Sequence, residues 1–214
     1  MAPLVDLVSS DRGFLTSTVD QHITARPDPF QPQRFPQIAL QQLLAQQLRT
    51  LPVVEDGKLI GSLGRNDFLR EFAMTGSRLA QSVVLDHCVP PGECLEANAT
   101  VDEAFAVMDT ERTEHVCIVQ SGCPLAACTR DELQWALQIS RAEELLGGPP
   151  SSFQSVIRLI RSAPHLQPGG SMADAAQSMF EISTSAILVV NKANRILGAI
   201  TESIVLSALL RGGA

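Results

Sequence analysis

The sequence predicts an α/β (α+β) fold made of three tandem copies of one β-α-β-β-α unit, and two observations carry that prediction. First, residues 51–67 have the pattern of a strand, a tight turn, a second strand and a helix start, and related patterns recur at residues 115–132 and 186–201. Second, a helical pattern with one apolar face precedes each of these segments. Since one such unit covers only one face of its small sheet, neighbouring copies are expected to pack against each other.

The first helix of each unit is predicted from apolar residues spaced about one helical turn apart, which is typical of a helix packed on one side. These residues are Leu40, Leu43, Leu44 and Leu48 in copy one, Val101, Ala104, Phe105 and Met108 in copy two, and Met172, Ala175, Ala176 and Met179 in copy three. Pro36 suits the first turn of a helix, and Thr100 and Ser171 suit its cap. The three helices are therefore expected to begin at these positions.

The strands are predicted from β-branched runs bounded by turn residues, at residues 53–54, 116–119 and 187–190. Asp56-Gly57 and Ser121-Gly122 supply hairpin turns. A second helix is expected after each strand pair, at residues 67–73, 130–146 and 202–210. A short extended segment is expected ahead of each unit, near residues 28–32, 94–97 and 165–167.

Composition and charge limit the class of protein. The chain has 214 residues, of which 45% are hydrophobic and 18% charged, and this balance suits a folded core. The net charge of −7 argues against nucleic acid as a partner. No apolar run is long enough to span a bilayer and no secretory signal stands at the amino terminus, so we expect no membrane partner and a cytoplasmic location.

The five cysteines and the absence of enzyme motifs bear on chemistry. An odd number of cysteines argues against a complete disulfide set. The cysteines are Cys88, Cys94, Cys117, Cys123 and Cys128. The favoured interpretation is that they serve as small apolar residues on buried strands. The less favoured one is a zinc site, since His87 and His115 lie nearby. No Gly-rich phosphate loop, nucleophile elbow or His-Glu-x-x-His motif is present, so no catalytic residue and no metal ligand is predicted.

The stretch Leu-Pro-Val-Val-Glu-Asp-Gly-Lys-Leu-Ile-Gly from residue 51, followed six residues later by Asp67, resembles the CBS domain family, named after cystathionine β-synthase. The resemblance implies tandem repeats packed pairwise into a disc-like unit, the Bateman module. It also implies clefts that often bind adenine nucleotides or related ligands, and a regulatory role toward an attached or partner protein. It covers residues 19–76 as repeat 1, 81–146 as repeat 2 and 153–211 as repeat 3, with a linker at 147–152.

Three repeats are an awkward number for a fold that works in pairs. Repeats 1 and 2 follow each other closely and are expected to pair, which leaves repeat 3 in need of a partner. Two alternatives stay open. Residues 1–18 are an amino-terminal extension that is the remnant of a further repeat, because residues 4–15 have a strand–turn–strand pattern. Otherwise repeat 3 pairs with its twin in a homodimer.

The candidate binding residues follow from the family pattern Gly-x-x-Thr/Ser-x-x-Asp at the end of the second strand. The resemblance implies that the hydroxyl, at a helix start, faces a phosphate and that the carboxylate accepts hydrogen bonds from ribose hydroxyls. No repeat holds the full set; the candidates are Gly64, Arg65, Asn66 and Asp67 in repeat 1, Thr129 and Glu132 in repeat 2, and Thr201 in repeat 3. Capping alone also explains several of them, since Thr129 and Glu132 have the spacing of a capping box.

The leading hypothesis is a non-catalytic regulatory protein with no certain cofactor. It senses AMP, ADP, ATP or S-adenosylmethionine between repeats 1 and 2, and it signals to an unknown effector protein by favouring one of two arrangements of the repeats. The alternative is a ligand-free dimerisation or protein-interaction scaffold whose nucleotide sites have degenerated.

Overall fold

The computed structural model describes residues 30–31, 34–145, 155–156 and 165–212. The first group of elements is α1 (Pro36–Ala45), β1 (Thr50–Glu55), β2 (Lys58–Gly64) and α2 (Arg65–Met74). The second is β3 (Cys94–Glu96), α3 (Val101–Glu111), β4 (His115–Gln120), β5 (Cys123–Thr129) and α4 (Arg130–Leu145). The third is α5 (Met172–Ile182), β6 (Ala186–Val190), β7 (Ile196–Thr201) and α6 (Glu202–Gly212). The predicted remnant at residues 1–18 and the linker at 147–152 lie outside the described residues.

Local chemistry sets the element boundaries where the sequence predicts them. The hydroxyls of Thr100 and Ser171 accept hydrogen bonds from the backbone N–H groups three residues later, at 3.2 Å and 3.1 Å, and so cap α3 and α5. In the first two hairpin turns φ is positive at both central residues, 48° and 75° at Asp56-Gly57 and 52° and 76° at Ser121-Gly122. This backbone is the one that tight hairpins require.

The three hairpins share one irregularity, which fixes the equivalent positions of the repeats. The antiparallel register shifts between Val53 and Val54, between Ile118 and Val119, and between Val189 and Val190. A short extended segment pairs in parallel with the first strand of each hairpin, as predicted: Phe30 with Val53, β3 with β4, and Leu166 with Val189. The predicted order β-α-β-β-α is therefore confirmed, with the first strand reduced to a single bridge in repeats 1 and 3.

Alternate residues of the strands enter different cores, because successive side chains of a strand point to opposite faces. In β6, Ile187 and Val189 belong to a cluster shared with the helices of repeat 1, whereas Leu188 and Val190 belong to a cluster shared with repeat 2. All four are at most 2% exposed. Repeat 3 therefore buries its hairpin on both faces.

The packing of the repeats corrects one prediction. Repeats 1 and 2 are not the main pair: α2 of repeat 1 packs on α5 and α6 of repeat 3, and the hairpin of repeat 2 packs on that of repeat 3. The largest core cluster holds Leu69 and Phe72 of repeat 1 together with Met172 and Met179 of repeat 3. The prediction that repeats 1 and 2 pair was based on their closeness in sequence, whereas pairing depends on which faces of the repeats are apolar.

The first residues of repeat 2 also lie on repeat 3. Val83 and Val89 form antiparallel bridges with Ser171 and Ala199, respectively. The bridge at Ala199 has two backbone hydrogen bonds of 2.9 Å. A Cβ atom at Gly198 would collide with the carbonyl oxygen of Val89, so this close approach requires glycine. The start of repeat 2 thus contacts repeat 3 before the chain reaches β3.

The helices of the described segments give no sign of a transmembrane span. None of them combines the length and the apolar content that crossing a bilayer needs.

Candidate functional site at the junction of three repeats

The second helices of the three repeats begin around one central cavity of about 360 Å³. Its lining includes the first residues of these helices, Arg65, Arg130 and Glu202, and the hydroxyls of Thr129 and Thr201. Three of the seven predicted site residues, one from each repeat, therefore meet here: Arg65, Thr129 and Thr201. The first N–H group of each helix donates to a carbonyl oxygen, that of Arg49, Glu114 or Ser185. The positive end of the helix dipole still makes a helix start favourable for an anion.

Arg65 is buried at the wall of this cavity and is held by protein groups. Its guanidinium lies 3.2 Å from the carboxylate of Glu202, and the two side chains are 9% and 11% exposed. It also donates hydrogen bonds to the carbonyl oxygens of Leu48 at 2.7 Å and Leu43 at 3.4 Å. This arginine therefore joins repeat 1 to repeat 3, and a ligand would have to compete with Glu202 for it.

Glu132 also accepts hydrogen bonds from protein groups, and its two carboxylate oxygens bind different repeats. Its Oε2 accepts from the backbone N–H of Thr129 at 2.9 Å and from the Thr129 hydroxyl at 3.1 Å, which completes the predicted capping box. Its Oε1 accepts from the hydroxyl of Thr184 at 3.1 Å and the N–H of Ser185 at 2.7 Å, both in repeat 3. The carboxylate thus links repeats 2 and 3.

The predicted site residues of repeat 1 other than Arg65 lie apart from this junction. Asp67 accepts a hydrogen bond from the N–H of Gly64 at 2.9 Å and is half-exposed, with Arg70 3.9 Å away. Asn66 is exposed. Among the described residues, those that line the central cavity and its neighbour do not include Gly64, Asn66 or Asp67. The capping interpretation of Asp67 accounts for its contacts.

A second and larger cavity, of about 680 Å³, lies between repeats 2 and 3. Glu114, Thr201, Ser203 and Ser207 line both cavities, so the first turns of α6 stand between the two. Its wall combines three carboxylates with two arginines, and the charged residues are Asp86, Glu111, Glu114, Arg112 and Arg211. Such a mixed lining offers acceptors for sugar hydroxyls and donors for an anionic group.

His115 stands at the edge of this cavity in an unusual state. It is 3% exposed; its Nδ1 pairs with the hydroxyl of Thr113 at 3.0 Å, and its Nε2 is buried without a partner among the described residues. Burial lowers the pKa of His115 below its ordinary value, against the opposing charges of Glu114 and Glu111. The ring is therefore neutral and retains one unused polar atom.

The five cysteines differ in burial, and Cys88 is half-buried. Cys117 and Cys128 are buried, as expected of small apolar residues, and burial raises the pKa of the Cys117 thiol to about 12 and that of Cys128 as well. Cys94 and Cys123 are exposed, so the prediction of buried positions is wrong for them. Within the described residues no group of three or more histidine, cysteine or acidic side chains is placed to hold a metal ion.

Sequence reasoning missed Glu202, Ser203, Glu114 and His115, which line the cavities. One signal was available for Glu202. Arg65 and Glu202 occupy the same first position of equivalent helices and carry opposite charges. That pattern indicates a contact between repeats 1 and 3.

Comparisons with known proteins agree with this architecture. The family model of the CBS domain matches residues 36–74 and 156–211, which lie in repeats 1 and 3. The matched ranges leave out repeat 2, although repeat 2 has the same order of elements. No curated protein matches the sequence. Two segments of the chain, in repeats 1 and 3, therefore match the CBS domain.

Solved structures support the fold. A protein from Methanocaldococcus jannaschii, described as a candidate archaeal homolog of g-AMPK, is 17% identical with a TM-score of 0.62, over 94% of this chain and 74% of that chain. An uncharacterized conserved protein from Pyrococcus horikoshii is 16% identical with a TM-score of 0.59, over 90% of this chain and 84% of that one. At such identities the similarity concerns the fold alone.

Proposed function

We propose that this protein is a non-catalytic regulator that binds an adenine nucleotide, or a related ligand such as S-adenosylmethionine, between repeats 2 and 3. This location replaces the cleft between repeats 1 and 2 that the sequence suggested, because those repeats are not the main pair. A cavity of about 680 Å³ falls within the usual range for sites of small ligands. The observation that carries the proposal is the start of α6, where Thr201 and Ser203 line this cavity and the central one together.

The chemistry of the wall supports a phosphorylated nucleoside. A phosphate is favoured at the start of α6, beside the hydroxyls of Thr201 and Ser203. Repeat 3 has Ile204 where the family pattern has its ribose carboxylate, but Glu114 of repeat 2 lines the same cavity. Glu114 already accepts a hydrogen bond from the Ser203 hydroxyl, at 3.5 Å. In this proposal a carboxylate of the neighbouring repeat binds the ribose.

Isothermal titration with AMP, ADP, ATP and S-adenosylmethionine tests the proposal. Ser203→Asp places a negative charge at the second position of α6, where it suits the helix but repels a phosphate, and should weaken nucleotide binding about tenfold or more. Asn66→Asp is the matched control, because Asn66 occupies the same position of α2 and lines neither cavity. Asp67→Ala should also leave the affinity unchanged. Loss of binding in the control variants, with Ser203→Asp unaffected, would place the ligand at repeat 1 instead.

A second candidate function is a ligand-free scaffold for an effector protein or for a homodimer. It is favoured by the contacts of Arg65, Asp67 and Glu132, whose polar groups already bind protein atoms. A thermal shift screen separates the two proposals, because a ligand that binds only the folded state raises its melting temperature. Absence of any shift with all four ligands would reject the sensor and leave the scaffold.

A further inference from the structure

The outward faces of two hairpins, those of repeats 2 and 3, bury each other. Cys117 and Ala127 of repeat 2 form one cluster with Leu188 and Ala199 of repeat 3, and each is at most 2% exposed. Cys117 pairs with Ala127, and Leu188 with Ala199, directly next to the shared bulge. A hairpin of this fold therefore hides this face by packing it on a second hairpin.

The equivalent face of repeat 1 is open in the described structure. The shared bulge makes the pair Pro52 and Ser62 equivalent to Cys117 and Ala127. Pro52 is half-buried and Ser62 is exposed. Leu59, which pairs with Val54 on the same hairpin, is 70% exposed, and the adjacent Ile60 is 55% exposed. Leu59 thus stands in solvent, whereas the residues at its position in repeats 2 and 3, Pro124 and Ile196, are half-buried.

We propose that this open face, formed by Pro52, Val54, Leu59 and Ser62, binds residues 4–15 of the same chain as a hairpin. The amino-terminal segment joins the described chain beside this hairpin, because Phe30 pairs with Val53 at the edge of β1 through two backbone hydrogen bonds of 2.9 Å. The residues between 15 and 30 span up to roughly 46 Å when extended, at about 3.3 Å for each residue. The segment therefore reaches any part of a face that is one hairpin wide.

The sequence of this segment suits the face. Leu4, Val5, Leu7 and Val8 precede the polar run Ser-Ser-Asp-Arg-Gly, and Phe14 and Leu15 follow it. Two short apolar runs around a polar, glycine-containing turn form the same pattern as the hairpins that cover this face in repeats 2 and 3. The contact would add the hairpin of a fourth repeat without its complete fold. It does not depend on the proposed ligand.

Thiol labelling of the full-length protein tests this contact. Leu59→Cys and Met74→Cys each introduce one thiol at positions of similar exposure in the described structure, 70% and 75%. Met74 is the last residue of α2 and is not part of the hairpin that forms the open face, so it is the matched control. With a maleimide reagent and peptide mass spectrometry, we expect the thiol of Leu59→Cys to react about tenfold more slowly than that of Met74→Cys. Adding Leu7→Asp and Phe14→Asp should restore the fast rate at position 59 only.

Two outcomes would overturn the proposal. Equal labelling rates at positions 59 and 74 in the full chain would show that nothing covers the face. Protection at position 59 that survives Leu7→Asp and Phe14→Asp but disappears on dilution would assign the face to a second copy of the chain instead.

Discussion

The carboxylate of Glu132 contributes to a helix start and to a contact between repeats at the same time. Glu103 of α3 makes the same capping box with Thr100, with hydrogen bonds of 2.7 Å and 3.0 Å, but it is exposed and these bonds stay within its own helix start. The two glutamates therefore differ in the bonds that Glu132 accepts from Thr184 and Ser185. A comparison of variants at Glu132 and Glu103 therefore measures how much the contact between repeats contributes to stability.

We predict that Glu132→Ala lowers the free energy of unfolding by about 2–4 kcal/mol, because it removes a cap and leaves two donors of repeat 3 without their charged acceptor. Glu103→Ala should cost only the cap, about 1 kcal/mol. Urea denaturation of both variants measures the difference. Equal losses would mean that the bonds from Glu132 to repeat 3 contribute nothing to stability.

At the scale of elements, the starts of α2 and α6 face each other across the boundary between repeats 1 and 3. Two helix starts with like partial charge repel unless a negative group lies between them. Glu202 supplies that group and Arg65 neutralises it, while the arginine also binds the carbonyl oxygens of Leu43 and Leu48 near the end of α1. The ion pair therefore helps to hold α1, α2 and α6 together.

We predict that Arg65→Met lowers the free energy of unfolding by about 3–5 kcal/mol, since it leaves the buried carboxylate of Glu202 without its partner. The double variant Arg65→Met with Glu202→Met should recover much of this loss, because an apolar pair carries no unpaired charge. A double-mutant cycle in urea or guanidinium measures the coupling. Simple addition of the two single losses would contradict the role assigned to the pair.

The elements themselves were predictable because their signals are local. Thr100, Ser171 and the turn at Asp56-Gly57 act within a few residues, and the structure has helix starts and hairpins there. One local feature had no signal in the sequence. Residues Gln47, Arg112 and Ser183 each stand three positions before a strand and all have positive φ, between 53° and 54°. They end the first helix of each repeat in the same way, without the glycine that usually marks such an end.

The pairing of the repeats was not predictable in the same way, since it depends on faces that meet far apart in sequence. The outward residues Cys117, Ala127, Leu188 and Ala199 are apolar and mostly small, and they allow two hairpins to approach closely. At the equivalent positions repeat 1 has Pro52 and Ser62. A comparison of the side chains on the outward faces, rather than of the residues of the family motif, would have indicated that repeats 2 and 3 pair. The cavities depend on that pairing, so the candidate site was only partly predictable.

At the scale of the whole molecule, repeats 1 and 2 both pack on repeat 3. Its helices pack on repeat 1, its hairpin packs on the hairpin of repeat 2, and Ser171 and Ala199 form bridges with the start of repeat 2. Neighbouring residues of β6 serve the two contacts separately, because Ile187 belongs to the core shared with repeat 1 and Leu188 to the one shared with repeat 2. Both side chains are 0% exposed.

We predict that Ile187→Ala and Leu188→Ala each lower the free energy of unfolding by about 2–5 kcal/mol, as expected for a buried aliphatic side chain, but loosen different neighbours. Leu188→Ala should accelerate amide hydrogen exchange in β4 and β5 of repeat 2 more than in α2 of repeat 1, and Ile187→Ala should do the reverse. Each variant is the control for the other, since the two sites adjoin in one strand and are equally buried.

If both variants accelerated exchange equally in repeats 1 and 2, the three repeats would open as one unit. The start of α6 could not then move relative to repeat 2 without unfolding the molecule. A ligand bound beside Ser203 would in that case stabilise all three repeats alike, whereas separate opening would let it favour the contact between repeats 2 and 3.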